Sequence, residues 1–404
     1  MVPLMSKPET SRTSQPSTAG VEFLTYYALP AVSLAYSAID TSPLSRYVMH
    51  PSWNFMVKFI PKWIAPNLLT FSGFLCMLLC VLMLLVYDYD CTASGKPGDG
   101  RKDEYSIPNV VFIMCGILVF MAYNLDGLDG KQARRIGVSG PLGELFDHGL
   151  DSYIVFLIPY CLFSVFGRDQ YSITVFRGYL IILSIVLNFY VSHWEKYNTG
   201  TLYLPWGYDL SMWVSTILFL QAGLQGPVIF KTFIFSNVTF VQALEIAIHA
   251  TGLFTTLPVA VYNVILSYRN KSGRLLSLWE ALRPLGPMII LTITSTLWAL
   301  NTAALEQDPR AFLLAFGTIF SNIASRLIVS EMSGQRCDGV SLLNIPLVLV
   351  VVVSSYVPHL TLPLMYLLLI VVTTAHVHYG VCVVRQMCDH FKIKCFSVPR
   401  DRIK

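Results

Sequence analysis

The chain has 404 residues, of which 54% are apolar and only 13% charged. That balance excludes an ordinary soluble globular domain, and several apolar runs of about 18 residues or more indicate a polytopic helical membrane protein. The formal net charge of +4 suits basic cytosolic loops and gives no reason to expect a nucleic-acid partner.

Residues 1 to about 20 are rich in Ser, Thr and Pro and are expected to be disordered. Val21 to Ala38 is apolar and aromatic, but Pro30 interrupts it and no basic stretch precedes it. An interfacial segment fits better than a cleaved leader. Ser42 to Trp63, with Trp53, Trp63, Lys58 and Lys62, reads as an amphipathic helix lying on the membrane. Ten spans are then expected at 66–86, 108–128, 148–167, 173–194, 211–231, 242–267, 285–303, 311–330, 341–357 and 361–384. Gly223, Gly226 and Pro227 make the division of 211–267 the weakest boundary. The cysteines form no CxxC pair, and Cys76, Cys80, Cys115, Cys161 and Cys382 lie in or beside apolar runs, as small hydrophobes do.

An even number of spans places both termini on one side. Lys131–Arg135, Arg269–Arg283, Arg336 and Lys392–Lys404 crowd that side with positive charge, so it is expected to be cytosolic.

Between the second and third spans lies an acidic hairpin. Asp126 and Asp129 are i,i+3, Asp147 and Asp151 are i,i+4, and each pair shares a helix face. Gly137, Ser139, Gly140 and Pro141 break the helix between them. Asp129 and Asp147 are equally far from Val138, so an antiparallel hairpin brings them to one depth. Carboxylates at the edge of the hydrocarbon, with so little nearby positive charge, point to a divalent cation site.

The pattern Asp-Gly-x2-Ala-Arg-x8-Gly-x3-Asp-x3-Asp is present at Asp129, Gly130, Ala133, Arg134, Gly143, Asp147 and Asp151, with Asp126 as a further first aspartate. In these residues the chain resembles the CDP-alcohol phosphotransferase family. From Tyr36 onward it is similar to that family's eukaryotic ethanolaminephosphotransferase branch. The matching stretches are Tyr36–Thr41, Tyr47–Pro51, Ala65–Gly73, Ser192–Gly200, Leu204–Asp209 and His390–Cys395. Residues 1–35 lie outside the stretches that carry the resemblance.

The resemblance implies an all-helical membrane enzyme that transfers phosphoethanolamine from CDP-ethanolamine to diacylglycerol, or alkyl-acylglycerol, in the bilayer. Its expected divisions are an N-terminal segment at 1–41, the interfacial helix at 42–64, a catalytic core at 65–235, further spans at 236–388 and a cytosolic tail at 389–404. The expected membrane is that of the endoplasmic reticulum or Golgi, with the site facing the cytosol. A homodimer is allowed for.

Two ions, Mg2+ or Mn2+, are expected on Asp126, Asp129, Asp147 and Asp151. Gly130, Ala133 and Gly143 leave room for the nucleotide, Arg134 clamps a phosphate, and Asn67 at a helix start contacts the nucleotide. Lys131 and Arg135 are divided between ligand contact and anchoring. His148 with Glu144, four residues apart on one face, is favoured as the general base over Asp151. Glu195, beside Trp194 and Tyr197, is offered as the acceptor for the ethanolamine ammonium. The alternatives are a choline or dual-headgroup enzyme of the same fold, a non-catalytic scaffold relative and, more distantly, a divalent-cation transporter.

Overall fold

The computed structural model describes residues 38–40, 42–92, 107–168, 171–204, 207–235, 237–399 and 402. The readings of residues 1–20 and 21–37 lie outside them.

Among these residues, seven helical stretches are long and apolar enough to cross a membrane. They are α2 (Pro66–Tyr87), α3 (Asn109–Ile136), α4 (Pro141–Phe166), α5 (Val175–Thr199), α7 with α8 (Phe240–Thr251 and Leu257–Arg269), α12 (Pro309–Met332) and α14 (Thr361–Phe391) with the short turn before it. Three further apolar helices, α6 (Gly207–Gln225), α10 (Leu285–Asn301) and α13 (Asn344–Tyr356), coincide with the other expected spans. Short α9 (Leu278–Leu282) and α11 (Ala304–Gln307) lie in connections. The strand β1 (Ala38–Asp40) pairs in parallel with β2 (Leu202–Leu204), and β3 (Phe233–Phe235) with β4 (Val238–Thr239) antiparallel.

The helix α12 is the central one, with 89% of its apolar window buried, whereas α7–α8 and α14 bury 17% and 22% of theirs. Against it pack α4, α5 and α14, and α2 and α3 complete the core beside α4. At one end of the bundle Arg310 is fully buried: its guanidinium donates to the carbonyls of Tyr160 at 2.7 Å, Asp88 at 3.0 Å and Tyr89 at 3.3 Å. Those bonds discharge the cost of burying its charge.

The expected interfacial helix is instead a short π turn (Ser45–Met49), α1 (His50–Met56) and a 3-10 turn (Val57–Phe59). It keeps the amphipathic division. Tyr47, Phe55, Phe59 and Trp63 are exposed, while Trp53 is buried against α3 and donates to Asn124 Oδ1 at 3.2 Å. Gly127 makes this seat possible, since a Cβ there would lie 2.2 Å from the Trp53 ring. Gly127→Ala is therefore expected to overpack the seat by about 1–3 kcal/mol. A lowered Tm in detergent checks this; an unchanged Tm would mean that Trp53 gives way freely.

The helix α3 runs beyond its expected end at 128. Its 28 residues reach roughly 42 Å at ~1.5 Å each, more than the ~30 Å hydrocarbon layer. The last turns, from Asp126 onward, therefore stand at the membrane edge.

Candidate active site

The site forms where α3 stops and α4 starts. Gly137 closes α3 with φ 68, in the left-handed region open to glycine. Gly140 is extended, and Pro141 starts α4 where a proline costs no helical hydrogen bond. The hairpin brings ligand oxygens of Asp126, Asp129 and Asp147 within 4.8 Å of one another. Ligand atoms of Asp147, His148 and Asp151 make a second group of the same dimension. Asp147 is common to both groups, and Asp151 joins it only in the second, beside His148.

The carboxylates are held by neutral donors. Thr70 Oγ1, on α2, donates to Asp129 Oδ2 at 2.5 Å, and Tyr208 Oη, on α6, donates to Asp126 Oδ2 at 2.7 Å. Among the described residues, no Lys or Arg forms an ion pair with the four aspartates. Carboxylates this close, half-buried or buried and without a Lys or Arg partner among the described residues, call for a bound cation. The oxygen donors of the four carboxylates suit a hard divalent ion, and His148 adds a ring nitrogen to the second group.

The motif residues line this hairpin. A Cβ at Gly130 would lie 3.4 Å from an Arg134 guanidinium nitrogen, and one at Gly143 would lie 3.7 Å from Asn67 Oδ1. Ala133 is half-buried one turn after Asp129, on the same face. Arg135 donates to the carbonyls of Val57 at 2.5 Å and Ile60 at 2.7 Å, which makes it an anchor for the interfacial segment.

The expected partner of His148 is corrected. Glu144 forms an ion pair with Lys196 of α5, which also reaches Glu331 of α12 at 3.1 Å. His148, 6% exposed, instead has its Nδ1 3.7 Å from Asp151 Oδ2. Its ring meets the edge of His193 at 5.5 Å. Glu195 is also differently placed. Its carboxylate accepts from Asn263 Nδ2 at 2.6 Å, on α8. About 100° per residue turns it away from the α5 face through which His193 and Lys196 meet α4.

Sequence reasoning did not assign Thr70 or Tyr208 to the site, and it placed His193 and Lys196 on the hairpin's side of the membrane only as flanks of Glu195. Thr70 was findable, because it lies one helical turn after Asn67. Tyr208 carries no local signal, since α6 reaches the hairpin only through packing.

The model of the family described as CDP-alcohol phosphatidyltransferase matches residues 63–257. The human protein named Ethanolaminephosphotransferase 1 is 44% identical over 373 residues, covering 90% of this chain and 91% of its own length. Its mouse namesake (Mus musculus) is 42% identical over 371 residues, covering 90% and 92%. Choline/ethanolaminephosphotransferase 1 of Arabidopsis thaliana is 29% identical over 405 residues, covering 90% and 95%. The aspartate hairpin falls inside the matched segment, and the likeness runs far past it in both directions: the chain belongs to the CDP-alcohol phosphatidyltransferase family, membrane transferases that use a CDP-alcohol and a lipid acceptor with a divalent metal.

Proposed function

We propose that the chain is an ethanolaminephosphotransferase with residues 65–235 as its catalytic core. It moves phosphoethanolamine from CDP-ethanolamine to the free hydroxyl of diacylglycerol or alkyl-acylglycerol and releases CMP. The observation that carries this reading is the pair of ligand groups sharing Asp147 at the membrane edge. The headgroup rests on relatives of that name at 44% identity, against 29% for the dual-headgroup plant protein.

The acceptor oxygen bonds to the β-phosphorus, the bond from that phosphorus to the bridging oxygen breaks, and CMP departs with the oxygen. Asp126, Asp129, Asp147 and Asp151 would hold two divalent ions, Mg2+ or Mn2+. When bound, such ions neutralise the diphosphate and stabilise the entering and leaving oxygens. Thr70 and Tyr208 hold two of the carboxylates in place before substrate arrives. Arg134 clamps a phosphate over Gly130, while Asn67, Ala133 and Gly143 line the nucleotide. His148 takes the hydroxyl proton, its ring aligned by Asp151. Glu144, held by Lys196, is a positioning residue one turn before it.

Positive charge around Lys131–Arg135 and the C-terminal residues supports a cytosolic site, where soluble CDP-alcohols are available. The membrane would be that of the endoplasmic reticulum or Golgi.

One observation favours a second reading, a dual choline and ethanolamine enzyme. With Glu195 turned toward α8, no identified carboxylate is committed to a primary ammonium. Purified protein given diacylglycerol, Mn2+ and either CDP-alcohol separates the two readings. Phosphatidylethanolamine and CMP formed from CDP-ethanolamine, with a kcat/KM at least about tenfold above that for CDP-choline, supports the first. Equal values support the second, and no CMP from either substrate overturns both.

A further inference from the structure

The segment after α14 returns to the catalytic hairpin. The helix ends at Phe391, and Lys392 turns the chain with φ 55, its own N–H and that of Ile393 both donating to the Cys388 carbonyl. Three residues later the backbone reaches the first turn of α2. There Asn67 Nδ2 donates to the Cys395 carbonyl at 3.1 Å and lies 3.5 Å from its Sγ. Phe396 packs its ring on Phe71 of α2 at 5.8 Å and on Phe146 of α4 at 5.5 Å. Those two rings are themselves 6.3 Å apart, so Phe396 bridges the pair.

A backbone carbonyl only accepts hydrogen bonds, which fixes the orientation of the Asn67 amide. Nδ2 must face the tail, and Oδ1 must face the other way. That oxygen is the atom 3.7 Å from the place a Cβ would take on Gly143, inside the hairpin cleft. One turn further along α2, Thr70 holds Asp129. The same helical turn therefore ties the tail, the cleft and the aspartates together.

We infer that Lys392–Phe396 is a positioning strap for nucleotide binding: the Cys395 carbonyl presents Asn67 Oδ1 to the cleft as an acceptor, and Phe396 clasps the strap in place. The acceptor suits the amino and hydroxyl donors of a nucleotide. Without the strap the amide rotates freely, half of its orientations present a donor instead, and binding must then order it. The inference rests on the nucleotide reading of this cleft made above.

Its test uses the full chain in detergent or nanodiscs, with KM and kcat for CDP-ethanolamine and the Kd of CDP measured separately. Phe396→Ala is expected to raise KM and the CDP Kd about tenfold, with kcat within about twofold. Phe396→Tyr, which keeps the ring, should restore both constants. Removal of residues 395–404 deletes the carbonyl itself, leaves every spanning helix intact and should match or exceed the Phe396→Ala loss. Unchanged KM and Kd in the truncated protein overturn the strap. So does a lower KM or a raised kcat, which would make the segment an obstructing lid. Wild-type protein that binds CDP but turns over no CDP-ethanolamine would instead count against the proposed reaction, and the Kd comparison would still judge the strap.

Discussion

Asp129→Asn and Asp147→Asn are each expected to abolish turnover. The amide keeps the size and shape of the carboxylate but removes its charge, so the variant isolates the cation-binding role from packing. Asp147 belongs to both ligand groups, and its loss disables both. Asp129 is 7% exposed and fixed by Thr70. CMP release by purified, well-folded variants across a Mn2+ titration checks the expectation. The reading of two metal ions fails if either variant retains more than about a tenth of wild-type activity. Chelation should likewise stop the wild-type enzyme, and added Mg2+ or Mn2+ should restore it.

His148→Ala is expected to lower kcat by about 10² or more while leaving CDP affinity nearly intact. The imidazole belongs to the group of Asp147, His148 and Asp151, where the proposed reaction has the attacking hydroxyl shed its proton. Glu144→Gln should lose less, because the Glu144 carboxylate is paired with Lys196 and acts on His148 only through position. Single-turnover rates beside CDP binding would separate chemistry from affinity. An unaltered kcat in His148→Ala would return the proton to Asp151, whose carboxylate is 3.7 Å from the ring.

The sequence by itself determined the features that depend on local periodicity. Apolar runs marked the spanning helices, since about 20 such residues match the hydrocarbon thickness. The spacings from Asp126 to Asp129 and from Asp147 to Asp151, with helix breakers between, marked a hairpin that brings carboxylates together. Both signals lie within a few turns of helix, where geometry follows directly from residue number. Helix ends were less legible. The α3 backbone continues to Ile136 because a helix does not stop where the hydrocarbon does.

Only the tertiary structure decided which helix each face meets. Glu195, His193 and Lys196 lie within one turn of α5, yet Glu195 meets Asn263 on α8 while its two neighbours meet α4. Periodicity assigns them to different faces but does not say which face finds the hairpin. Asn67 and Cys395 bond across 328 residues, and Tyr208 reaches Asp126 from a helix placed by its packing on α3. Such contacts arise from the mutual fit of whole helix surfaces, which residue spacing along one helix does not encode.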